Sequence, residues 1–313
     1  MLDLSVIILT YNEELHIRRC LEKITPYVKQ VFIIDCFSSD KTLEIAREYS
    51  NVMILQNKWP ATKYAGQFNW ALENAPIDSK WVLRLDADEY LLPETIAELN
   101  EKLHCLPNNV TGIVLKRRHI FFNKWMKRGT YPVKLLRVFC YGKAKCEQRL
   151  MDEHIQLLEG TSVEFDNDFC DHNLNNISWF CHKHVEYATR EAVDLLDIEY
   201  DMTGAAATDD EKNISDQAIV KRQKKHKYAK LPLFLRSFIY FFYRYFIKMA
   251  FLEGKEGFAW SFFQGWWYRT LVDAKVLEAR KWLSANGYDY KHLDNKGKEA
   301  LKGFIKDNWK ISI

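Results

Sequence analysis

The 313-residue sequence lacks the features that mark several large classes of protein. Its seven cysteines are odd in number and form no Cys-x-x-Cys pair, so we expect a reducing compartment rather than a disulfide framework. Neither a GxxxxGK[ST] nor a GxGxxG loop is present, which argues against kinases, P-loop nucleotidases and ordinary dehydrogenases. Lys and Arg exceed Asp and Glu by only 45 to 42, and this net charge of +3 is too small to indicate a nucleic acid partner.

The sequence also lacks a basic leader with a cleavage site and any long uncharged apolar run. A bilayer-spanning helix needs about 20 consecutive apolar residues. We therefore expect neither secretion nor a transmembrane anchor. Contact with a membrane surface stays compatible with the composition, in which aromatic residues make up 14% of the chain.

Short apolar runs alternate with helical patterns in the first third of the chain. Runs of strand length occupy residues 4–10, 31–35, 52–55 and 81–85. Helical patterns occupy residues 13–24, 42–49 and 61–75, and a further one begins at Pro93. Strands without polar alternation, separated by helices, predict a parallel sheet covered on both faces, with ligands at the carboxyl ends of the strands.

The pattern changes near residue 110. Residues 110–120 and 134–139 are typical of strands in mixed or antiparallel pairing, and residues 177–200 have helical spacing. Residues 201–216 are small and polar, which predicts a linker, and residues 217–313 form a basic and aromatic helical region.

Two carboxylates, Asp86 and Asp88, follow the fourth predicted strand directly. Acids at this spacing converge where the chain leaves the strand. Oxygen ligands of this kind suit Mg²⁺ or Mn²⁺, with substrate phosphates completing the shell. The alternative is a solvated loop before the helix at Pro93.

Four segments in a fixed order give this pair its context: VIILTYNEE, VFIIDCFSSDKT, AGQFNWALENA and WVLRLDADEYL. With them the first half of the chain resembles inverting GT-A glycosyltransferases of family two, in particular membrane-associated members of the lipopolysaccharide and capsule type. The resemblance implies an α/β fold of the GT-A type, with a mostly parallel sheet and helices on both faces. It also implies a nucleotide-diphosphate sugar donor, with UDP as the expected nucleotide, and a catalytic domain over residues 1–200, divided into a nucleotide-sugar half (1–109) and an acceptor half (110–200).

The resemblance also implies roles for individual residues. Those expected at the nucleotide sugar are Thr10, Tyr11, Glu13, Asp35, Gln67, Asn69, Arg84, Asp86 and Lys183. Those expected at the metal are Asp86, Asp88 and His172. For Asp35 the alternative is turn chemistry after a strand. For His172 and Lys183 the alternative is the packing of a helix face.

An inverting transfer needs a general base that removes the proton of the acceptor hydroxyl. The family supplies a carboxylate after the mixed strands, where this chain has Asp152 and Glu153. The sequence leaves open which of the two acts, and a polar turn is the alternative.

The C-terminal region predicts contact with a membrane surface. A basic cluster at residues 221–230 precedes a nearly continuous apolar and aromatic segment at residues 233–252. Charged or polar positions at every fourth residue, from Arg236 to Lys248, would form one stripe on a helix and leave a wide apolar face. We expect a helix pair in the surface of an anionic leaflet, and the alternative is a hairpin packed in a core.

The sequence therefore predicts a metal-dependent inverting hexosyltransferase that acts on a lipid-linked or envelope glycan, on the inner face of the cytoplasmic membrane. Two alternatives stay open: a transferase that uses polyprenyl phosphate as acceptor, and a membrane-bound protein that binds sugar nucleotides without turnover. The oligomeric state cannot be read from the sequence.

Overall fold

The protein is described by a computed structural model over residues 1–58, 64–147, 153–203 and 227–312. These residues form two compact units: residues up to 175 belong to the first, and those from 176 onward to the second. The predicted linker at residues 201–216 lies mostly outside the described residues, and the proposed domain boundaries stay a prediction.

The first unit is an α/β structure built around one large sheet. Its strands are β1 (Leu2–Thr10), β2 (Val28–Asp35), β3 (Val52–Gln56), β4 (Trp81–Asp86), β5 (Glu89–Leu91), β6 (Val110–Phe121), β7 (Lys124–Trp125), β8 (Val133–Cys140), β9 (Ala144–Cys146), β10 (Ile155–Leu157) and β11 (Thr161–His172). Its helices are α1 (Ile17–Ile24), α2 (Thr42–Ala46), α3 (Tyr64–Asn74) and α4 (Pro93–Lys102), followed by a 3₁₀ turn at Leu103–Cys105.

The strand order in the large sheet is β3-β2-β1-β4-β8-β6-β11-β5, with β7 paired to β6, while β9 and β10 form a separate two-stranded sheet. The β3-β2-β1-β4 part is parallel, as predicted. The rest of the sheet is mixed: β6 and β11 pair in parallel, whereas β8 runs antiparallel to both β4 and β6, and β5 runs antiparallel to β11. This confirms the mixed pairing expected of residues 110–120 and 134–139, and the sheet is only partly parallel. The fold is thus a mixed α/β arrangement around a partly antiparallel sheet.

Apolar side chains cover both faces of the parallel part. Leu4, Val6 and Ile8 of β1 pack on one face with residues of α1, α2 and α4. Ile7 and Leu9 point to the other face and pack with residues of α3. Successive side chains of β1 point to opposite faces of the sheet, and both faces are buried. The apolar residues of β1 therefore follow one another without intervening polar residues.

Helix boundaries differ from the prediction where polar turns take part in hydrogen bonds. The first helix was expected from residue 13 but begins at Ile17. The backbone N–H of Glu13 instead donates to Oγ1 of Thr42, and that of Glu14 donates to Asp40, so these residues tie the loop after β1 to the loop after β2. The short β5, β7, β9 and β10 and the long β11 were not predicted.

The second unit is helical. It contains α5 (Ile177–Tyr200), α6 (Leu235–Phe242), α7 (Gly254–Trp260), α8 (Tyr268–Ala285) and α9 (Asn295–Phe304). Its core forms where small and apolar residues of α5, such as Ala188, Ala192 and Leu196, pack with residues of α8 and α9. The helix predicted at residues 177–200 is present with those bounds.

The segment at residues 235–267, called the aromatic hairpin below, is less regular than predicted. Helix α6 continues as a π-helical turn at Tyr243–Ile247, and a 3₁₀ stretch at Ala250–Glu253 then leads to Gly254, which has a φ of 72°. A second π-helical stretch, Ser261–Trp267, then leads into α8. In the described parts of the chain, every helix is too short or too polar to cross a bilayer.

Candidate functional site

The carboxyl ends of β1, β2 and β4 meet at one edge of the sheet. Thr10 lies opposite Asp35 in the parallel register of β1 and β2, and Leu9 lies opposite Asp86 in that of β1 and β4. Adjacent strands are about 4.8 Å apart. The polar segments that the sequence places after these strands therefore lie side by side.

Asp35 is completely buried and holds this edge together. Its Oδ1 accepts hydrogen bonds from the hydroxyls of Thr10 (3.1 Å) and Ser38 (2.5 Å). Its Oδ2 accepts from the backbone N–H of Ser38 (2.9 Å) and from Nε2 of Gln56 (3.2 Å). With four donors the buried carboxylate is well satisfied and links the ends of three strands. Contact of Asp35 with the nucleotide stays a prediction.

Two aromatic side chains stand exposed beside this network. Tyr11 follows β1, and Phe37 follows β2 with a φ of 58°, a left-handed conformation that is strained for a phenylalanine. Both rings present open faces of the kind that stack on planar groups. The Glu13 carboxylate, by contrast, lies 2.7 Å from Nδ1 of His16, whose Nε2 accepts from the backbone N–H of Leu174.

Gln67 and Asn69, expected to face the nucleotide, make hydrogen bonds within the protein. Both ends of the buried Gln67 amide contact Asn57, through its side chain (2.9 Å) and its carbonyl (3.1 Å). The amide of Asn69 pairs with the backbone N–H and C=O of Cys146, both at 2.8 Å. These contacts position α3, and a role at the nucleotide stays a prediction.

Asp86 ends β4 with its carboxylate partly exposed between two guanidinium groups. Nε of Arg84 lies 3.9 Å from Oδ1, and Nη2 of Arg137 lies 3.8 Å from Oδ2. Burial acts to lower the pKa of Arg84, but the negative charges of Asp86, Glu153 and Glu89 together with Cys146 outweigh it, and the pKa is raised. The Asp86 carboxylate thus lies between two cationic side chains at the strand end.

Beneath Asp86, Glu89 and Arg137 form a buried ion pair at 2.6 Å. Glu89 also accepts the backbone N–H of Asp86, at 2.9 Å. Burial raises the pKa of Glu89, Arg137 opposes this, and the carboxylate of Asp86 adds to it. The pair fixes the backbone that carries the two predicted metal ligands.

Asp88 lies in the turn between β4 and β5, where its Oδ2 accepts from Nδ2 of Asn173 at 2.9 Å. Its carbonyl accepts from the backbone N–H of His172, at 3.0 Å. His172 in turn contacts Arg19 of α1 through Nδ1 (3.1 Å) and Asn123 through Nε2 (2.9 Å). His172 is thus brought next to Asp88 from the far end of β11.

The contacts of His172 define its protonation state. Arginine only donates, so Nδ1 accepts from Arg19 and the ring proton sits on Nε2, directed at Oδ1 of Asn123. Burial and the charge of Arg19 lower the pKa of His172 to about 4. Both ring nitrogens are engaged, so binding of a metal by this side chain would require one contact to break.

The carboxylates of Asp86 and Asp88 fit a hard divalent cation that shares its shell with a diphosphate, because both are oxygen donors at an open strand end. Within the described residues, no group of three or more His, Cys, Asp or Glu side chains could hold a metal on its own. A metal here would therefore depend on oxygens from a substrate.

Of the two predicted bases, Asp152 lies outside the described residues, as do residues 148–151 before it. Glu153 is described, and its charge acts on Arg84, which places it near the Asp86 end of the site. Lys183 belongs to α5 of the second unit, where its Nζ lies 4.6 Å from the Trp179 ring and 5.7 Å from the Tyr187 ring.

The sequence analysis missed three residues that organise the site: Arg19, Glu89 and Arg137. Glu89 adjoins the acidic motif and could have been included on that ground. Nothing in the sequence around Arg19 indicated a role at the site, because its partner His172 lies 153 residues further along the chain. Arg137 reaches the site only because β8 inserts antiparallel next to β4.

Comparison with known proteins gives the family. The model of "Glycosyl transferase family 2" matches residues 5–164, about half of the chain. The lipopolysaccharide core biosynthesis glycosyltransferase LpsC of Rhizobium meliloti is 29% identical over 121 residues, 37% of this chain and 43% of that protein. An uncharacterized glycosyltransferase of Rickettsia typhi is 33% identical over 99 residues, 32% of each chain. The matches thus span less than half the length of these relatives.

A mannosyltransferase from Pyrobaculum calidifontis, solved in complex with GDP-Man and Mn²⁺, aligns in structure with a TM-score of 0.49 at 13% identity, over 88% of this chain and 87% of that one. The family match covers the strand ends that carry Thr10, Asp35, Asp86 and Asp88. The chain belongs to glycosyltransferase family 2.

Proposed function

We propose that this chain transfers a sugar, with inversion, from a nucleotide-diphosphate donor, a UDP-sugar, to a lipid-linked or envelope glycan. The observation that carries the proposal is the pair Asp86 and Asp88 at the open end of β4, beside the ends of β1 and β2. In an α/β sheet this edge is where ligands bind. The exposed rings of Tyr11 and Phe37 offer faces for the base on the same edge.

The transfer itself needs one base and one leaving group. Glu153 or Asp152 takes the proton of the acceptor hydroxyl while its oxygen attacks the anomeric carbon. The new bond from that carbon to the acceptor oxygen forms as the bond to the diphosphate oxygen breaks. The nucleoside diphosphate leaves with the electron pair. A base of this kind contributes about 10²–10⁴ in rate.

A divalent ion held by Asp86 and Asp88 would supply Lewis-acid stabilisation of the departing diphosphate. The test is a thermal-shift and donor-turnover screen across nucleotide sugars with Mn²⁺, Mg²⁺ or EDTA. A donor at 100 times its Kd should add about 2.7 kcal/mol to the free energy of unfolding.

In this screen Asp88→Ala should lose the metal-dependent shift and about 10²–10³ in rate. Asp78→Ala, which changes an exposed acid that pairs with Lys29, is the matched control and should behave as wild type. Full turnover by Asp88→Ala in EDTA would overturn the metal assignment. Donor binding with no turnover by the wild type would instead favour a silent binding protein.

The aromatic hairpin supports an acceptor at a membrane. Eleven large apolar side chains in residues 235–258 are between 44% and 62% exposed: Leu235, Phe238, Ile239, Phe242, Tyr243, Phe246, Ile247, Met249, Phe251, Leu252 and Phe258. Such a continuous apolar surface is unusual for a protein that meets only water. Aromatic residues favour the headgroup level of a bilayer. The predicted basic cluster at residues 221–230 lies largely outside the described residues.

Two arginines of the same segment point inward, whereas Lys248 is exposed. Arg236 forms a buried ion pair with Asp273 of α8 at 2.6 Å. Arg244 is 1% exposed and donates to Oε1 of Gln264, and a side chain at Gly265 would come within 3.0 Å of its guanidinium. A hairpin packed in a core would bury its apolar side chains and expose its charged ones. We infer that the apolar face lies in the surface of a membrane.

Flotation with anionic vesicles tests this inference. Wild type should float at low salt. Phe238→Asp combined with Phe246→Asp should weaken binding at least about tenfold, since each apolar side chain fully removed from water contributes about 1.5–3 kcal/mol. Tyr27→Asp, at an exposed aromatic of the first unit, is the matched control and should float like wild type. If the wild-type protein stays in the soluble fraction, the main support for a lipid-linked acceptor is lost.

A further inference from the structure

A stretch of the first unit concentrates positive charge next to the candidate site. Between residues 110 and 146 the chain has ten Lys or Arg and no Asp or Glu, although its overall charge is only +3. On the sheet these cations pair with acids of β11, as Arg118 does with Asp168 (3.2 Å) and Lys134 with Glu164 (2.5 Å). The cations continue beyond the sheet into the turn after β6.

That turn, residues 120–129, is called the cationic hairpin here. Ile120 pairs with Trp125 and Phe121 with Lys124, so a two-residue loop of Phe122 and Asn123 connects β6 and β7. Both loop residues have positive φ, 49° and 59°. Turns of this kind favour Asn and Gly, and a left-handed conformation is strained for a bulky residue.

A phenylalanine at position 122 is therefore unfavourable in two respects. Its backbone is strained, and its ring is 57% exposed. A residue kept at a strained position points to a use for its side chain. An exposed aromatic ring offers an apolar face on which a sugar ring can stack.

Two cationic side chains of the hairpin and of the strand before it contact the ring of Trp125. The guanidinium of Arg118 lies 3.9 Å above the Trp125 ring, and its Nε donates to Asp168, which also accepts from the hydroxyl of Tyr131. Nζ of the exposed Lys127 lies 4.9 Å from the Trp125 ring. A positioned cation next to a sugar-stacking face suits an acidic sugar.

The hairpin tip also reaches the carboxylate edge. Oδ1 of Asn123 accepts from Nε2 of His172, and the backbone N–H of His172 donates to the carbonyl of Asp88. Two hydrogen bonds thus connect the tip to the predicted metal ligand. A molecule bound at the hairpin would lie beside the place where the sugar is transferred.

We propose that the cationic hairpin binds the acceptor, and that this acceptor is an acidic glycan carrying phosphate or carboxylate groups. Phe122 would stack on a sugar ring while Lys127 contacts the acidic group. The inference deepens the proposed function, on which it rests, by naming the acceptor's chemistry and the element that recognises it.

The experiment measures equilibrium binding of one probe in three forms. The probe is the deacylated oligosaccharide of a lipopolysaccharide, with its phosphates intact, after their removal, and after further reduction of its carboxyl groups. Wild type should bind the intact form at least about tenfold more tightly than the fully neutralised form. The middle form separates phosphate from carboxylate recognition.

Two variants test the residues. Lys127→Ala should abolish the preference for the charged forms. Phe122→Asn should weaken binding of all forms about tenfold while the hairpin keeps its fold, because Asn accepts positive φ. Lys145→Ala, an exposed lysine of β9 in the same acid-free stretch, is the matched control and should bind as wild type.

Equal binding of charged and neutral forms by the wild type, no binding at all, or wild-type binding by both variants would overturn the proposal. Donor binding is measured separately, by thermal shift with nucleotide sugars. If no donor binds, the proposed function fails even where the charge preference is found. If donors bind and the preference is absent, only the present inference fails.

Discussion

The carboxylate edge of the first unit exposes an acidic side chain above buried charges, whereas the aromatic hairpin of the second exposes mainly apolar side chains. At the edge, apolar residues such as Leu83 are buried and the carboxylate of Asp86 is 45% exposed. In the hairpin, Arg244 is buried while Phe246 is 47% exposed, and Asp273 of α8, the partner of Arg236, is also buried. Charge at an open edge is available to a ligand. Charge turned inward leaves an apolar surface that suits a nonaqueous neighbour.

Removing a charge should therefore affect rate in one region and stability in the other. Glu153→Gln near the edge should lower the rate of transfer about 10²–10⁴-fold, because a positioned base is lost. Its free energy of unfolding should change by less than about 0.5 kcal/mol, as for most surface substitutions. Steady-state transfer and chemical denaturation measure the two effects. Full transfer by Glu153→Gln would assign the base to Asp152 or another group.

In the hairpin, Asp273→Asn should destabilise the protein by about 3–5 kcal/mol, because it leaves Arg236 buried without its carboxylate. The backbone N–H of Phe234, which also donates to Asp273 at 2.7 Å, loses a charged acceptor. Glu299→Gln, in a surface pair with Lys302, is the control and should cost less than about 1 kcal/mol. Equal effects of the two variants in urea unfolding would contradict the comparison.

Removing apolar side chains should give the complementary contrast. Leu83→Ala should cost about 2–5 kcal/mol, since this residue is completely buried in the sheet core. Phe246→Ala should change stability in water by less than about 0.5 kcal/mol. Urea unfolding without lipid compares them directly. A large loss for Phe246→Ala would mean that the hairpin surface is covered within the protein.

The sequence predicted the parallel part of the sheet because each strand and the polar turn after it are local signals. Residues 4–10 and 81–85 are buried on both faces, so their apolar runs are continuous. The convergence of Asp35 and Asp86 followed from the rule that parallel strands end at one edge. What could not be predicted depends on long-range pairing, as in the contact of Arg19 with His172 and the insertion of β8 beside β4.

The hairpin illustrates a different limit. Periodicity predicted one stripe of charged residues, including Arg236 and Arg244, and one apolar face. It could not say which of the two faces inward, because that depends on the partners. Asp273 and Gln264, from later in the chain, supply polar contacts for both arginines and so place these two side chains in the interior, while Lys248 at the end of the stripe stays exposed.

The exposed apolar face of the hairpin has a calorimetric consequence. The heat capacity of unfolding rises with the apolar surface that unfolding newly exposes. Residues such as Phe242, Phe246 and Ile247 are already about half exposed in the folded chain, so they add little to it. Their hydrophobic signature should appear instead when the protein meets a bilayer, as a negative heat capacity change of binding. Under the proposed membrane contact, the heat capacity change of this segment is expected on association with lipid rather than on folding.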